Sequence, residues 1–213
     1  MFPTAGGDAE EIERFGLIDS LSGLLGAGRI KVYSVDSIAG RSLLQRQDPT
    51  HTAWLFNAFA SALRDEITPA IRADSQDDHA EVIAAGASIG AFNAVAALCR
   101  HPNLFRSAIG MSGTYDLSGQ LGHDFTDDFF FSSPLHYLPG LEGPQLDQIR
   151  SRFVILATGA GQWENPGQTW TMAHILGEKQ IPNRVDIWSE GHNHDWETWR
   201  EMLPVYLDDL VPG

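Results

Sequence analysis

A serine lies between two glycines in the segment GASIG at residues 86–90, which is the part of the chain best suited to a chemical reaction. An apolar run at residues 82–85 precedes it and small residues at 91–98 follow, so we predict a strand, a tight turn and a helix with Ser88 at the turn. A serine hydroxyl is a weak nucleophile at its free pKa. It therefore needs an exposed position where an imidazole can take its proton and backbone N–H groups can face an oxyanion.

The same pattern can arise by chance, because the chain contains 21 glycines. It would then be an ordinary turn of a doubly wound sheet, with no acid and histidine in a suitable order after it. A catalytic serine requires both partners downstream, and the chain offers both. The order serine, acid, histidine is that of the α/β-hydrolases rather than of trypsin-like or subtilisin-like enzymes.

The acid is expected on a loop after the buried strand predicted at residues 152–159. The loop at residues 160–167 carries one carboxylate, Glu164, which is the first candidate. Asp186 is the alternative, although a carboxylate inside a strand can equally well pair with Arg184 or Lys31. We favour Glu164 over Asp186.

The histidine is expected on a loop after a second strand, predicted at residues 183–188, that follows a helix at about residues 168–179. This loop contains both His192 and His194. A His-x-His pair beside Asp195 could bind a metal, but no third ligand stands at a recognisable spacing. We therefore expect neither a metal nor a cofactor.

Four segments carry a resemblance to a known family: the serine motif at residues 86–92, RHPNLF at 100–105, MSGTYD at 111–116 and HDWETWREMLP at 194–204. Together they resemble the esterase branch of the α/β-hydrolase superfamily, which holds S-formylglutathione hydrolases, feruloyl and acetylxylan esterases and mycolyltransferases. The resemblance covers nearly the whole chain and implies that His194, rather than His192, is the base. It also implies an oxyanion hole formed by one N–H near Ala5 and by the N–H of Ile89.

The beginning of the chain departs from that family pattern. Family members usually open with two or more strands before the oxyanion loop, whereas residues 1–8 here look like the loop itself, so the N-terminal strands are apparently missing. Either the sequence is truncated, or the sheet is smaller and a partner subunit covers its edge, because an uncovered edge strand is prone to association. A homo-oligomer is therefore possible.

Composition limits the other functions. A chain of 213 residues with 43% hydrophobic content can form one α/β-hydrolase domain over residues 1–213. A net charge of −14 argues against nucleic acid and anionic membranes as partners. Neither a signal peptide nor a membrane-spanning run is recognisable, which favours a cytoplasmic location. Cys99, the one cysteine, is expected to be a buried free thiol.

The remaining elements alternate between helix and strand. We predict helices at residues 10–25 and 52–72 and strands at 30–34 and 107–111, giving a mostly parallel, doubly wound sheet with helices on both faces. Residues 115–149 break this rhythm. They are expected to form a lid or substrate wall over the site, or else an excursion whose phenylalanines fill the core.

The sequence thus predicts a serine carboxylic ester hydrolase acting on a small-molecule ester. Ser88, Glu164 and His194 would form the triad and an acyl-enzyme, which water would release. One alternative is an acyltransferase that passes the acyl group to an alcohol. The other is a non-catalytic scaffold protein with the same fold, since a fold alone does not guarantee activity.

Overall fold

The protein is described by a computed structural model that covers residues 1–121 and 126–211. Within these residues, one sheet of four parallel strands has the order β1-β2-β3-β4. The strands are β1 (Val82–Ala87), β2 (Phe105–Met111), β3 (Phe153–Thr158) and β4 (Asn183–Ile187). Because neighbouring strands are parallel, their carboxyl ends lie along the same edge of the sheet.

Helices connect and cover the strands. They are α1 (Glu11–Arg14), α2 (Leu17–Ser20), α3 (Ser22–Gly26), α4 (Ile38–Leu44), α5 (Pro49–Ala62), α6 (Thr68–Ser75), α7 (Ile89–Arg100), α8 (Ser118–Leu121), α9 (Asp127–Ser132), α10 (Pro134–Tyr137), α11 (Pro144–Arg150), α12 (Pro166–Glu178) and α13 (Trp196–Leu210). A π-helical turn, Leu63–Ile67, joins α5 to α6, and a 3₁₀ turn, Leu138–Gly140, follows α10. In this part of the chain, no helix is long and apolar enough to cross a membrane.

Successive residues of each strand face opposite sides of the sheet, and both sides are buried. Ala84, Ala108 and Val154 belong to a hydrophobic cluster with α7 and α12. Ala85 and Ile109 belong to a second cluster with α2 and α13. The predicted doubly wound α/β architecture, with helices on both faces, is therefore confirmed.

The strands and helices around the serine lie within two residues of their predicted positions, whereas the earlier elements differ. The helix predicted at residues 10–25 is three short helices, interrupted at Gly16, whose φ of 70° is left-handed. The helix predicted at 52–72 begins earlier, at Pro49. It changes to the π-helical turn before Pro69, which has no N–H to continue the regular hydrogen-bond ladder.

The strand predicted at residues 30–34 is wrong, because no strand forms there. Among residues 1–121 and 126–211, Met1 is the one residue with which residues 30–35 form backbone–backbone hydrogen bonds. The Met1 amino group donates to the Tyr33 carbonyl at 2.7 Å, and the Val35 N–H donates to the Met1 carbonyl at 3.1 Å. The alternation of apolar and polar side chains favours a strand at residues 30–34. A ladder of strand hydrogen bonds, however, needs a partner segment of several residues, and Met1 is a single residue.

The first residues of the chain lie against the outer edge of β1. Phe2 forms an isolated parallel bridge with Gly86, and its N–H donates to the Ala85 carbonyl at 2.9 Å. Towards the start of β1, the same edge borders an apolar cavity of about 390 Å³. Coverage of this edge by a second copy of the chain stays a prediction.

The excursion at residues 115–149 includes α8 to α11, and its residues 122–125 lie outside the described part. Tyr115, Leu117 and Phe129 are buried in the core, whereas Phe130 and Phe131 are 38% and 53% exposed. The segment therefore both fills the core and presents aromatic side chains at the surface. Its role as a lid or substrate wall stays a prediction.

Candidate active site

Ser88 lies at the turn between β1 and α7, as the sequence predicts. Its backbone has φ 57° and ψ −120°, a region that non-glycine residues rarely occupy. Its N–H donates to the Met111 carbonyl of β2 at 2.9 Å, which fixes the turn to the neighbouring strand. The side chain is partly exposed at the carboxyl edge of the sheet.

The flanking glycines allow this turn for steric reasons. A Cβ atom on Gly86 would lie 2.4 Å from the carbonyl carbon of Gly90, and one on Gly90 would lie 2.5 Å from the carbonyl oxygen of Phe2. Backbone atoms cannot move aside as the end of a flexible side chain can. Residues 86 and 90 must therefore be glycine for the turn to form as it does.

Glu164 lies on the loop after β3, with its side chain only 1% exposed. Its Oε1 accepts a hydrogen bond from the Ser112 hydroxyl at 2.5 Å, and its Oε2 accepts one from the Thr158 hydroxyl at 2.8 Å. Burial acts to raise the pKa of this carboxyl, but the neighbouring His194 and the two hydroxyl donors outweigh it and hold the pKa below its usual value. The carboxylate is therefore charged at neutral pH.

His194 lies on the loop after β4, beside this carboxylate. Its Nδ1 is 3.8 Å from Oε2 of Glu164, within ion-pair distance. The edge of the imidazole packs against the ring of Trp199, with ring centroids 5.2 Å apart and planes at 83°. Because Nδ1 faces the acid, Nε2 is the nitrogen left for a proton from a nucleophile.

The loops that carry Glu164 and His194 bond to each other. The Gly161 N–H donates to the His192 carbonyl at 2.9 Å, and the Gln162 N–H donates to Oδ1 of Asn193 at 2.8 Å. The His194 N–H donates back to the Gln162 carbonyl at 3.0 Å. These bonds set the distance between acid and histidine.

His192 and Asp186, the less favoured candidates for the base and the acid, have other partners. His192 lies between the Ser189 hydroxyl, 2.9 Å from Nδ1, and the Glu201 carboxylate, 3.2 Å from Nε2. Asp186 binds Arg184 at 2.5 Å, the pairing that the sequence offered as its alternative role. Over residues 1–121 and 126–211, no group of three or more His, Cys, Asp or Glu residues could hold a metal ion.

Ala5 and Ile89, the residues expected to supply oxyanion donors, lie against one glycine of α4. A Cβ atom on Gly40 would be 3.2 Å from Cα of Ala5 and 3.3 Å from Cγ2 of Ile89. The start of the chain and the first turn of α7 therefore meet next to Ser88, as an oxyanion hole built from both would require.

Two charged residues hold the loop around Ala5. Glu11, which is 2% exposed, accepts hydrogen bonds from the N–H and the hydroxyl of Thr4 at 2.6 and 2.8 Å. On the other side of the loop, Arg41 donates to the Gly7 carbonyl at 2.9 Å and binds Asp36 through both terminal nitrogens. The loop conformation thus depends on side chains from α1 and α4.

Sequence reasoning missed three residues that contact the acid and the histidine. Ser112 follows β2 directly, Thr158 ends β3, and the Trp199 indole donates to the Ser112 hydroxyl at 2.9 Å. Ser112 and Thr158 could have been found from their positions, because the carboxyl ends of parallel strands form the ligand-binding edge of such sheets. Trp199 is buried, and its residue type alone gives no sign that it contacts the acid's partner Ser112.

Several solved structures have a fold similar to that of this chain. A ferulic acid esterase is similar with a TM-score of 0.71 and 14% identity, over 99% of this chain and 82% of that chain. The S-formylglutathione hydrolase FrmB from Staphylococcus aureus has a TM-score of 0.62 and 12% identity, over 99% of this chain and 79% of that chain. The enterobactin esterase FES from Shigella flexneri has a TM-score of 0.60 and 18% identity, over 89% of this chain and 47% of that chain.

No curated protein matches the sequence. The family described as "Putative esterase" does match it, over residues 26–210. The chain therefore belongs to this esterase family, and its class is that of the serine carboxylic ester hydrolases. The predicted resemblance is confirmed.

Proposed function

We propose that the chain hydrolyses small carboxylic esters with Ser88 as nucleophile, His194 as general base and Glu164 as the acid that orients the base. The observation that carries this proposal is the position of all three residues after the carboxyl ends of β1, β3 and β4 in one parallel sheet, with the buried carboxylate of Glu164 facing Nδ1 of His194. An isolated buried carboxylate is unfavourable without a charged partner. Its position is understandable if it stabilises an imidazolium that forms during each turnover.

In the first half of the reaction, Nε2 of His194 takes the proton of the Ser88 hydroxyl while Oγ bonds to the ester carbonyl carbon. The carbonyl oxygen becomes an oxyanion, which the N–H groups of Ile89 and Ala5 would stabilise. The C–O bond to the alcohol then breaks, and the imidazolium gives its proton to the departing alcohol. The acyl group remains on Ser88.

In the second half, His194 takes a proton from water, and the hydroxide adds to the acyl carbon. The intermediate collapses, Oγ of Ser88 recovers the proton from the imidazolium, and the carboxylic acid leaves. Glu164 keeps its charge throughout and stabilises the imidazolium in both halves. No step requires a metal or a cofactor.

The test is hydrolysis of short and medium p-nitrophenyl esters by wild type, Ser88→Ala, His194→Ala and His192→Ala, with and without chelator. We expect losses of about 10⁴-fold or more in kcat for Ser88→Ala and His194→Ala. His192→Ala should retain most of its activity, because His192 faces Ser189 and Glu201 instead. Turnover that survives Ser88→Ala would overturn the proposal, and loss of turnover on chelation would assign the reaction to a metal.

A further inference from the structure

A second cavity lies at the opposite end of α7 from Ser88. Its volume is about 440 Å³, within the range of small-molecule sites. We call it the Arg100 cavity; its walls include Arg64, Arg100, Phe130, Phe131, Tyr137 and Leu141. Since α7 runs from Ile89 to Arg100 and a helix rises about 1.5 Å per residue, roughly 18 Å separates this cavity from the serine.

Arg100 brings a positive charge to this cavity without a direct carboxylate partner. In the described part of the chain, both of its hydrogen bonds are made by Nη1, to Oδ1 of Asn57 and to the Phe131 carbonyl. Asn57 in turn donates to Asp128 at 2.6 Å, so the nearest carboxylate in this network is one residue removed. Nε and Nη2 are left as donors, and an arginine side chain remains protonated in proteins.

Arg64 differs from Arg100 in this respect. Its Nε donates to Oδ1 of Asp65 at 2.7 Å, and its Nη2 donates to Oδ2 of the same carboxylate at 2.7 Å. The charge of Arg64 is therefore largely compensated at the rim of the cavity. Arg100 is the group that would attract an anion.

Tyr137 adds a second, independent feature. The residue is only 7% exposed, and its hydroxyl is buried without a hydrogen-bond partner among residues 1–121 and 126–211. Leaving a buried hydroxyl unpaired costs free energy, so such groups normally find an acceptor. The hydroxyl is closed off from the cavity in this structure, so a ligand oxygen would supply an acceptor once the ring of Tyr137 turns towards the cavity that the residue lines.

The remaining wall is aromatic and apolar. Phe130 and Phe131 pack edge to face, with ring centroids 5.1 Å apart, and both stay partly exposed. Exposed neighbouring phenylalanines are unfavourable in water unless another apolar group covers them. The cavity thus combines donors at one side with an apolar surface at the other.

We propose that the Arg100 cavity binds a small carboxylate that carries an aromatic group. The carboxylate would accept hydrogen bonds from Nε and Nη2 of Arg100, which form a fork suited to two oxygens, and from the Tyr137 hydroxyl. The ring would pack on Phe130 and Phe131. This site is distinct from the proposed catalytic site and does not depend on it.

The test is calorimetric titration of the whole chain with cinnamate, and with cinnamamide as a neutral probe of the same shape. We expect cinnamate to bind, Arg100→Gln to weaken its Kd about tenfold and Tyr137→Phe to weaken it about threefold. Arg46→Gln removes the same charge from an exposed position elsewhere and should leave the Kd unchanged. Tyr137→Phe keeps the ring and the bonds of Arg100, so it remains informative if Arg100→Gln is unstable.

Binding to the active site is separated by inhibition kinetics. Under the proposal, cinnamate does not compete with ester for hydrolysis. Equal affinity for cinnamate and cinnamamide would overturn the role of charge. Two results would overturn the site itself. One is a Kd for cinnamate that neither Arg100→Gln nor Tyr137→Phe changes. The other is purely competitive inhibition of ester hydrolysis by cinnamate, with the same binding stoichiometry in these variants as in wild type.

Discussion

The two sides of the proposed active site are held in different ways. Glu164 and His194 lie on loops that follow neighbouring strands and bond to each other through backbone groups. The loop around Ala5 instead depends on single side chains, Glu11 and Arg41, which reach it from α1 and α4. The acid–base side is therefore built into the sheet, whereas the oxyanion side relies on contacts among short helices.

This difference implies different responses to mutation. A change on the acid–base side alters a charge that acts on the reacting atoms, so its effect should be large and specific to kcat. A change under the oxyanion loop acts through the position of an N–H group. Its effect on kcat should therefore be smaller.

After the changes at Ser88 and His194 themselves, removing the charge of Glu164 should have the largest effect. In Glu164→Gln, the amide cannot stabilise an imidazolium, so we expect kcat to fall about 10⁴-fold with a small change in KM. The matched control is Asp186→Asn, which neutralises the rejected candidate in its pair with Arg184 and should keep activity within about twofold. Similar losses in the two variants would contradict the assignment of Glu164; steady-state kinetics on one p-nitrophenyl ester decides.

Removing Glu11 should have an intermediate effect. Glu11→Ala frees the N–H and hydroxyl of Thr4, so the Ala5 N–H should lose its fixed position, and we expect kcat to fall up to about 10²-fold, the scale of one lost oxyanion donor. Glu10→Ala changes an exposed neighbour and serves as the control. Thermal unfolding of both variants separates lost catalysis from lost folding, and an unchanged kcat in folded Glu11→Ala would remove this loop from the reaction.

Removing the Ser112 hydroxyl should have a smaller effect that depends on pH. The Trp199 indole can only donate, so the Ser112 hydroxyl proton is free to donate to Glu164. Without the hydrogen bond from Ser112, less opposes the effect of burial, which raises the pKa of Glu164, so this pKa should rise. We expect kcat of Ser112→Ala to fall about tenfold at neutral pH, a typical value for one hydrogen bond to a charged group. On acidification, this variant should lose its activity at a higher pH than wild type does.

Stability provides a second readout for Ser112→Ala. A carboxyl whose pKa is lowered by folding stabilises the protein above its unfolded pKa, and this stabilisation is lost as the pH falls through the folded pKa. The difference in unfolding free energy between wild type and Ser112→Ala should therefore be largest at neutral pH and narrow on acidification. Ser151→Ala, an exposed control, should show no such dependence. Superimposable pH profiles for Ser112→Ala and wild type would contradict the role of Ser112.

The contrast between the loops that follow strands and the loop held by short helices also explains how much could be predicted from the sequence. β1, α7, β3 and β4 were predicted because apolar runs of strand length alternate with helical stretches, and Glu164 and His194 were predicted because they follow such strands. The short helices before residue 45 could not be predicted, because their ends depend on a left-handed Gly16 and on contacts with distant residues. Ser112 and Thr158 were missed although they stand at the carboxyl ends of predicted strands, because their residue types alone do not show that their hydroxyls donate to Glu164.

The central claim is that Ser88, activated by His194, carries the acyl group. The most direct measurement is mass spectrometry of the intact chain after treatment with an alkyl fluorophosphonate, followed by peptide mapping. We expect one added phosphonyl group on Ser88 in wild type, strongly slowed labelling in His194→Ala, and normal labelling in His192→Ala. Labelling of another residue, or an unlabelled Ser88 in a chain that still hydrolyses esters, would contradict it.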